Sequence, residues 1–80
     1  MEEKENKDNM HYIGVMFESK YYSTPDKPKF YGKMYEYKTT QDLKEGEIVT
    51  LDNGNRVVVI KENIPENELQ FRQIDLIKEI

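Results

Sequence analysis

The chain has no cysteine, no tryptophan and a single histidine, and only four glycines and three prolines in its 80 residues. Without cysteine, neither a disulfide nor a thiolate-held metal can brace so small a fold. The same absence suits a reducing compartment. A metal site would have to be built from carboxylates, and "DNGN" at Asp52–Asn55 lacks the distant bidentate glutamate of a calcium loop. The four glycines are scattered, so no glycine-rich loop is available to cradle a phosphate. Ser19 and Ser23 belong to no nucleophile elbow, and nothing in the sequence orients His11 as a general base. No apolar run approaches the ~18 residues of a membrane span, and the N-terminus has no apolar signal region. These absences lead us to expect a soluble, cytoplasmic, non-enzymatic protein with no metal, cofactor or membrane partner.

What is present is charge, unevenly spread. The net charge of −4 disfavours broad, unspecific nucleic-acid binding. Residues 1–19 carry two lysines against five acids, giving −3. Residues 20–38 carry five lysines against two acids, giving +3. Residues 39–80 carry five basic residues against nine acids, giving −4. The leading "MEEKENKDN" has no apolar residue after Met1 and cannot offset its ordering entropy, so residues 1–9 are expected to be a disordered acidic tail. Residues 10–80 are long enough for one small domain, which buries only ~60% of its unfolded surface.

Within that domain the dominant period is two. In "HYIGVMF", Ile13, Val15 and Phe17 share one strand face and Tyr12, Gly14 and Met16 the other, as expected of a central or doubly covered strand. Gly14 is expected to mark a bulge or a close backbone approach. "KMYEYK" alternates too, with Tyr35 and Tyr37 facing one way. "TTQDLKEGE" reads as a helical turn capped by Thr39 or Thr40, with Leu43 inward and Gly46 supplying positive φ before the next strand. "EIVTL" and "RVVVIKE" are strand-length apolar runs, and Asn53-Gly54 between them predicts a type I′ hairpin. The end, "IPENELQFRQIDLIKEI", reads either as a helix from Pro65 or as a loop and a strand. Four firm strands and a candidate fifth predict a mainly β fold, a small antiparallel five-stranded barrel of SH3-like or OB-like type. An exposed edge such as "RVVVIKE" would allow a homodimer.

The feature that stands above this scaffold is the segment between the first two strands. Eight of the nine aromatic residues lie between Tyr12 and Tyr37, interleaved with Lys20, Lys27, Lys29, Lys33 and Lys38. Pro25 and Pro28 make the connection irregular, and long loops in small domains are often functional. Tyr21, Tyr22, Lys27, Lys29, Phe30, Tyr31 and Lys33 are therefore the candidate partner-binding residues. Tyrosine offers a rigid, half-polar surface to a protein partner. Aromatic faces between lysines would also suit a nucleotide or single-stranded nucleic acid. The bland alternative is that these tyrosines cover the core. The acidic residues Glu62, Glu66, Glu68, Asp75 and Glu79 could likewise form a face that competes for a basic site on another protein, or simply a solvated surface.

The stretch "YEYKTTQDLKEGEIVTLDNGNRVVVIKE", with Tyr35, Tyr37, Lys38, Leu43, Gly46, Glu47, Val49 and Val57 to Ile60, resembles small proteins encoded by phages and mobile elements of low-GC Gram-positive bacteria. Its Leu-x-x-Gly-(Asp/Glu)-x-Val element is similar to one in the N-terminal DNA-binding domain of the primosomal replication-restart helicase. The resemblance implies a small β-barrel with a final strand near the C-terminus. It also implies a phage-encoded interaction module in the host cytoplasm, binding and occluding a host protein such as a defence or replication factor.

Overall fold

The computed structural model describes residues 10–24 and 26–80; the expected acidic tail, residues 1–9, lies outside them. Strand β1 (His11–Phe17), β2 (Tyr35–Thr39), β3 (Ile48–Thr50) and β4 (Arg56–Lys61) form one antiparallel sheet in the order β2-β1-β4-β3. β1 is central, as its two apolar faces require. Its inward residues Ile13 and Val15 are fully buried and meet Val57, Val59 and Leu43. Phe17, Tyr37, Val49, Leu51 and Ile80 close around that cluster. The period-two pattern is thus satisfied residue by residue, Val15 opposite Tyr35 on one side and Val59 on the other.

Gly14 does both things its position suggested. The pairing of β1 with β4 shifts between Gly14 and Val15, leaving Ile60 as an extra residue on β4. Met34 lays its Sδ and Cγ atoms where a Gly14 side chain would begin. Gly46 takes φ +92°, and Gly46 and Glu47 together oppose Val59: the Gly46 N–H donates to the Val59 carbonyl and the Val59 N–H to the Glu47 carbonyl. That is a glycine bulge, the corner expected before β3.

Several expectations change. The sheet is open: β3 is one edge and β2 the other, so the five-stranded barrel does not form among the described residues, and neither the SH3 nor the OB type is established. "RVVVIKE" is not an edge, because β4 lies between β1 and β3. The hairpin at Asp52–Gly54 is not type I′, since Asn53 does not take positive φ. Instead the Gly54 N–H donates to the Leu51 carbonyl, the Leu51 N–H donates to the Asn55 carbonyl, and Gly54 alone is left-handed at φ +90°. This three-residue loop is favoured because the Asn53 side chain accepts the Asn55 N–H locally. No helical turn follows β2; Thr39 Oγ1 accepts the Gln41 N–H and donates to the Ile80 carbonyl, while Leu43 is buried as expected.

The C-terminal segment is neither a long helix nor a full strand. It makes two single 3-10 turns, Glu66–Glu68 and Ile74–Leu76, and then one parallel bridge, Lys38 to Glu79. The N–H groups of Gln70 and Phe71, which a helix would aim at carbonyls four residues back, go to the Glu36 carboxylate instead.

Because Met34 occupies the space above Gly14, Gly14→Ala should cost roughly 1–3 kcal/mol of stability in urea unfolding. Adding Met34→Ala should recover part of that loss through relief of the clash. Purely additive effects in the double-mutant cycle would show that the contact is not the cause.

Candidate functional site

The connection between β1 and β2 is built as an ordered arm. At its base the Ser19 N–H donates to the Lys29 carbonyl (2.8 Å) and the Tyr31 N–H to the Phe17 carbonyl (3.1 Å), flanking a bridge between Glu18 and Phe30. Farther out, Ser23 Oγ accepts the Lys29 N–H and donates to the Lys29 carbonyl, and Ser19 Oγ accepts from Tyr21 and Tyr22. Thr24 and Lys27 exchange backbone bonds at the tip. Short hydroxyl side chains thus satisfy the backbone, which leaves the large side chains free to point outward.

They do point outward. Tyr21 is 94% exposed, Tyr22 64% and Tyr31 71%, so these three do not cover the core. Tyr22 and Tyr31 meet edge to face at 5.9 Å between ring centres. Lys27 and Lys29 are exposed on the same arm, and Phe30 is half-buried at its base. Lys33 lies beyond the arm, with its ammonium 5.2 Å from the centre of the Tyr35 ring.

The arm opens onto a groove along the outer edge of β2. Tyr31, Lys33 and Tyr35 line it from the arm and β2; Phe71, Leu76 and Lys78 line it from the C-terminal segment. Of the candidates read from the sequence, only Tyr31 and Lys33 belong to this groove, joined to Tyr22 by the ring contact. Tyr21, Lys27, Lys29 and Phe30 remain on the arm outside it. Sequence reasoning missed Phe71, Leu76 and Glu36. Phe71 carried the one available signal, as the single aromatic residue outside the cluster, in a polar context.

Two ionic devices hold this geometry. Glu36 accepts the Gln70 N–H at 2.7 Å and the Phe71 N–H at 2.8 Å, which fixes the second wall against β2. Glu18 and Arg56 form a bidentate pair at 2.8 and 2.6 Å across β1 and β4, at the root of the arm. The Arg56 guanidinium bond holds the Glu18 carboxyl below its ordinary value, with smaller help from the Ser23 hydroxyl. Burial raises the Tyr37 phenol, whose ring lies 6.4 Å from that of Phe17. Among the described residues, no three His, Cys, Asp or Glu side chains converge on a metal-sized site, and no helix is long and apolar enough to cross a membrane.

Two outcomes follow from these devices. A carboxyl whose folded value is lowered stabilises the fold above its unfolded value and loses that contribution as pH falls through the folded one. Stability should therefore drop below about pH 4.5, and Glu18→Gln should flatten that part of the pH profile in thermal melts. Glu36→Ala should lower stability by about 1–2 kcal/mol and abolish hydrogen-exchange protection at Gln70 and Phe71, while leaving Ile13, Val15 and Val57 protected. Retained protection at Gln70 and Phe71 would show that the carboxylate is not what holds the segment. No family model, curated protein or solved structure matches this chain.

Proposed function

We propose that this chain is a non-catalytic interaction module that binds a protein partner and acts by occluding it. The observation that carries the reading is one contiguous exposed surface. It runs from Tyr22 to Tyr31 by ring contact, and from Tyr31 along the groove to Tyr35, Phe71 and Leu76. Leu76 is 63% exposed and Phe71 46%, and both line the same groove. Contiguous apolar surface of this kind marks interaction sites, and aromatic residues dominate their binding energy. The arm that presents Tyr21 and Tyr22 is ordered by its own hydrogen bonds, so little entropy is lost when a partner docks. In the phage setting that the sequence resemblance implies, the partner is a host protein in the cytoplasm, a defence or replication factor.

A second reading, binding of a nucleotide or single-stranded nucleic acid, draws on Lys27, Lys29 and Lys33 beside the tyrosines. It is disfavoured at Tyr22 and Tyr31, which pack against each other rather than standing apart as stacking platforms.

Immobilised protein should retain a defined partner from lysate of a low-GC Gram-positive bacterium, and the Tyr22→Ala/Tyr31→Ala variant should lose it while melting like the parent. In parallel, titration with oligothymidylate and adenine nucleotides should be flat at every salt concentration. Equal retention by the variant, or salt-dependent oligonucleotide binding lost on neutralising Lys27, Lys29 and Lys33, would overturn the proposal in favour of the second reading.

A further inference from the structure

The backbone along the groove floor carries information that the side chains do not. In an antiparallel pair, the N–H and C=O of successive residues point alternately toward the partner and away from it. Lys38 points away from β1: its N–H donates to the Lys78 carbonyl, and its carbonyl accepts the Ile80 N–H. Two residues earlier, the N–H and C=O of Glu36 must point the same way. A continuing parallel strand would meet them there with residues 76 and 78. It does not continue, because Ile74–Leu76 turn as a 3-10 helix, with the Leu76 N–H donating to the Gln73 carbonyl and the Ile77 N–H to the Ile74 carbonyl. The ladder on the outer edge of β2 therefore stops at Lys38, and the groove lies where its next rung would be.

The charge of that place is also defined. The charged side chains lining the groove are Lys33, Glu36 and Lys78, and the Glu36 carboxylate is already engaged by two backbone N–H groups. Two lysines against one carboxylate leave the described lining of the groove net positive, on a chain whose net charge is −4. The walls offer Tyr35 and Tyr31 on one side and Phe71 and Leu76 on the other.

We propose that the groove takes an extended, acidic segment of a partner protein, which adds to the β2 edge by pairing with the outward N–H and C=O of Glu36. Alternate side chains of that segment pack against Tyr35 and against Phe71 and Leu76, and its carboxylates meet Lys33 and Lys78. Such strand addition draws affinity from main-chain bonds and specificity from side-chain pockets. This inference rests on the protein-partner reading above and specifies the partner's chemistry at one part of its surface.

The test uses the full chain, labelled with nitrogen-15, and peptides of about seven residues alternating glutamate with valine around a central phenylalanine; this length spans ~23 Å when extended. The acidic peptide should shift the amide signals of Glu36, Phe71 and Lys78. Its lysine counterpart should bind at least tenfold more weakly, and so should the acidic peptide N-methylated at its central residues. The Lys33→Glu/Lys78→Glu variant should reverse the charge preference. Equal binding of charged and N-methylated forms, shifts confined to β3, or no binding at all would overturn the inference. Should these peptides fail while the immobilised chain still retains its partner through Tyr22 and Tyr31, strand addition falls and the protein-binding reading stands. Oligothymidylate shifting the same three amides would remove both.

Discussion

Everything in this fold depends on β1 being paired on both sides and buried on its inner face. Ile13 and Val15 have no exposed surface, and the residues that bury them come from β2, β4 and the Leu43 turn. A domain of this size has few apolar residues, and among the described residues its central cluster is five buried side chains with a ring of partly buried ones around it, Ile64 and Ile77 being buried beside it. Placing both neighbours of β1 leaves too little strand to close a barrel. β3 has three residues, and among the described residues the outer edge of β2 gains one bridge. The open sheet follows from that shortage, and so does the groove beside β2.

The strands were legible because their signal is local. Period-two alternation at Ile13, Val15 and Phe17 and at Tyr35 and Tyr37 places each residue on its observed face, while the apolar run from Val57 marked a strand without choosing its face. Gly46 announced its corner, and Gly14 its bulge and close approach, because few residues tolerate either. Asn53-Gly54 announced a hairpin but not its type. The choice turned on a side-chain acceptor, Asn53 Oδ1, that permits an ordinary backbone at Asn53.

The C-terminal segment was illegible for a different reason. Its shape is set by Glu36, more than thirty residues away, whose carboxylate captures two backbone N–H groups. No pattern within "IPENELQFRQIDLIKEI" encodes that capture, so both helix and strand remained open from sequence. The candidate site shares this origin. The arm and its tyrosines could be read in advance, since a tyrosine- and lysine-rich loop stands out in composition. The second wall, Phe71 and Leu76, could not, because it exists only once Glu36 holds it.

The clamp at Glu36 also gives the molecule two levels of stability. Apart from the bridge at Lys38, the segment after Ile64 is joined to the sheet by isolated bonds, not by a ladder, so it can open at a fraction of the free energy needed to unfold β1 and β4. When it opens, the whole outer edge of β2 is bared, and Ile80 leaves the rim of the core. Anything seated beside Glu36 that also touches Phe71 or Lys78 binds only the closed form, and by mass action must slow that opening. Occupancy of the groove would thus be felt as far away as Thr39 and Ile80, through the closed–open equilibrium of the segment and with no displacement of the sheet.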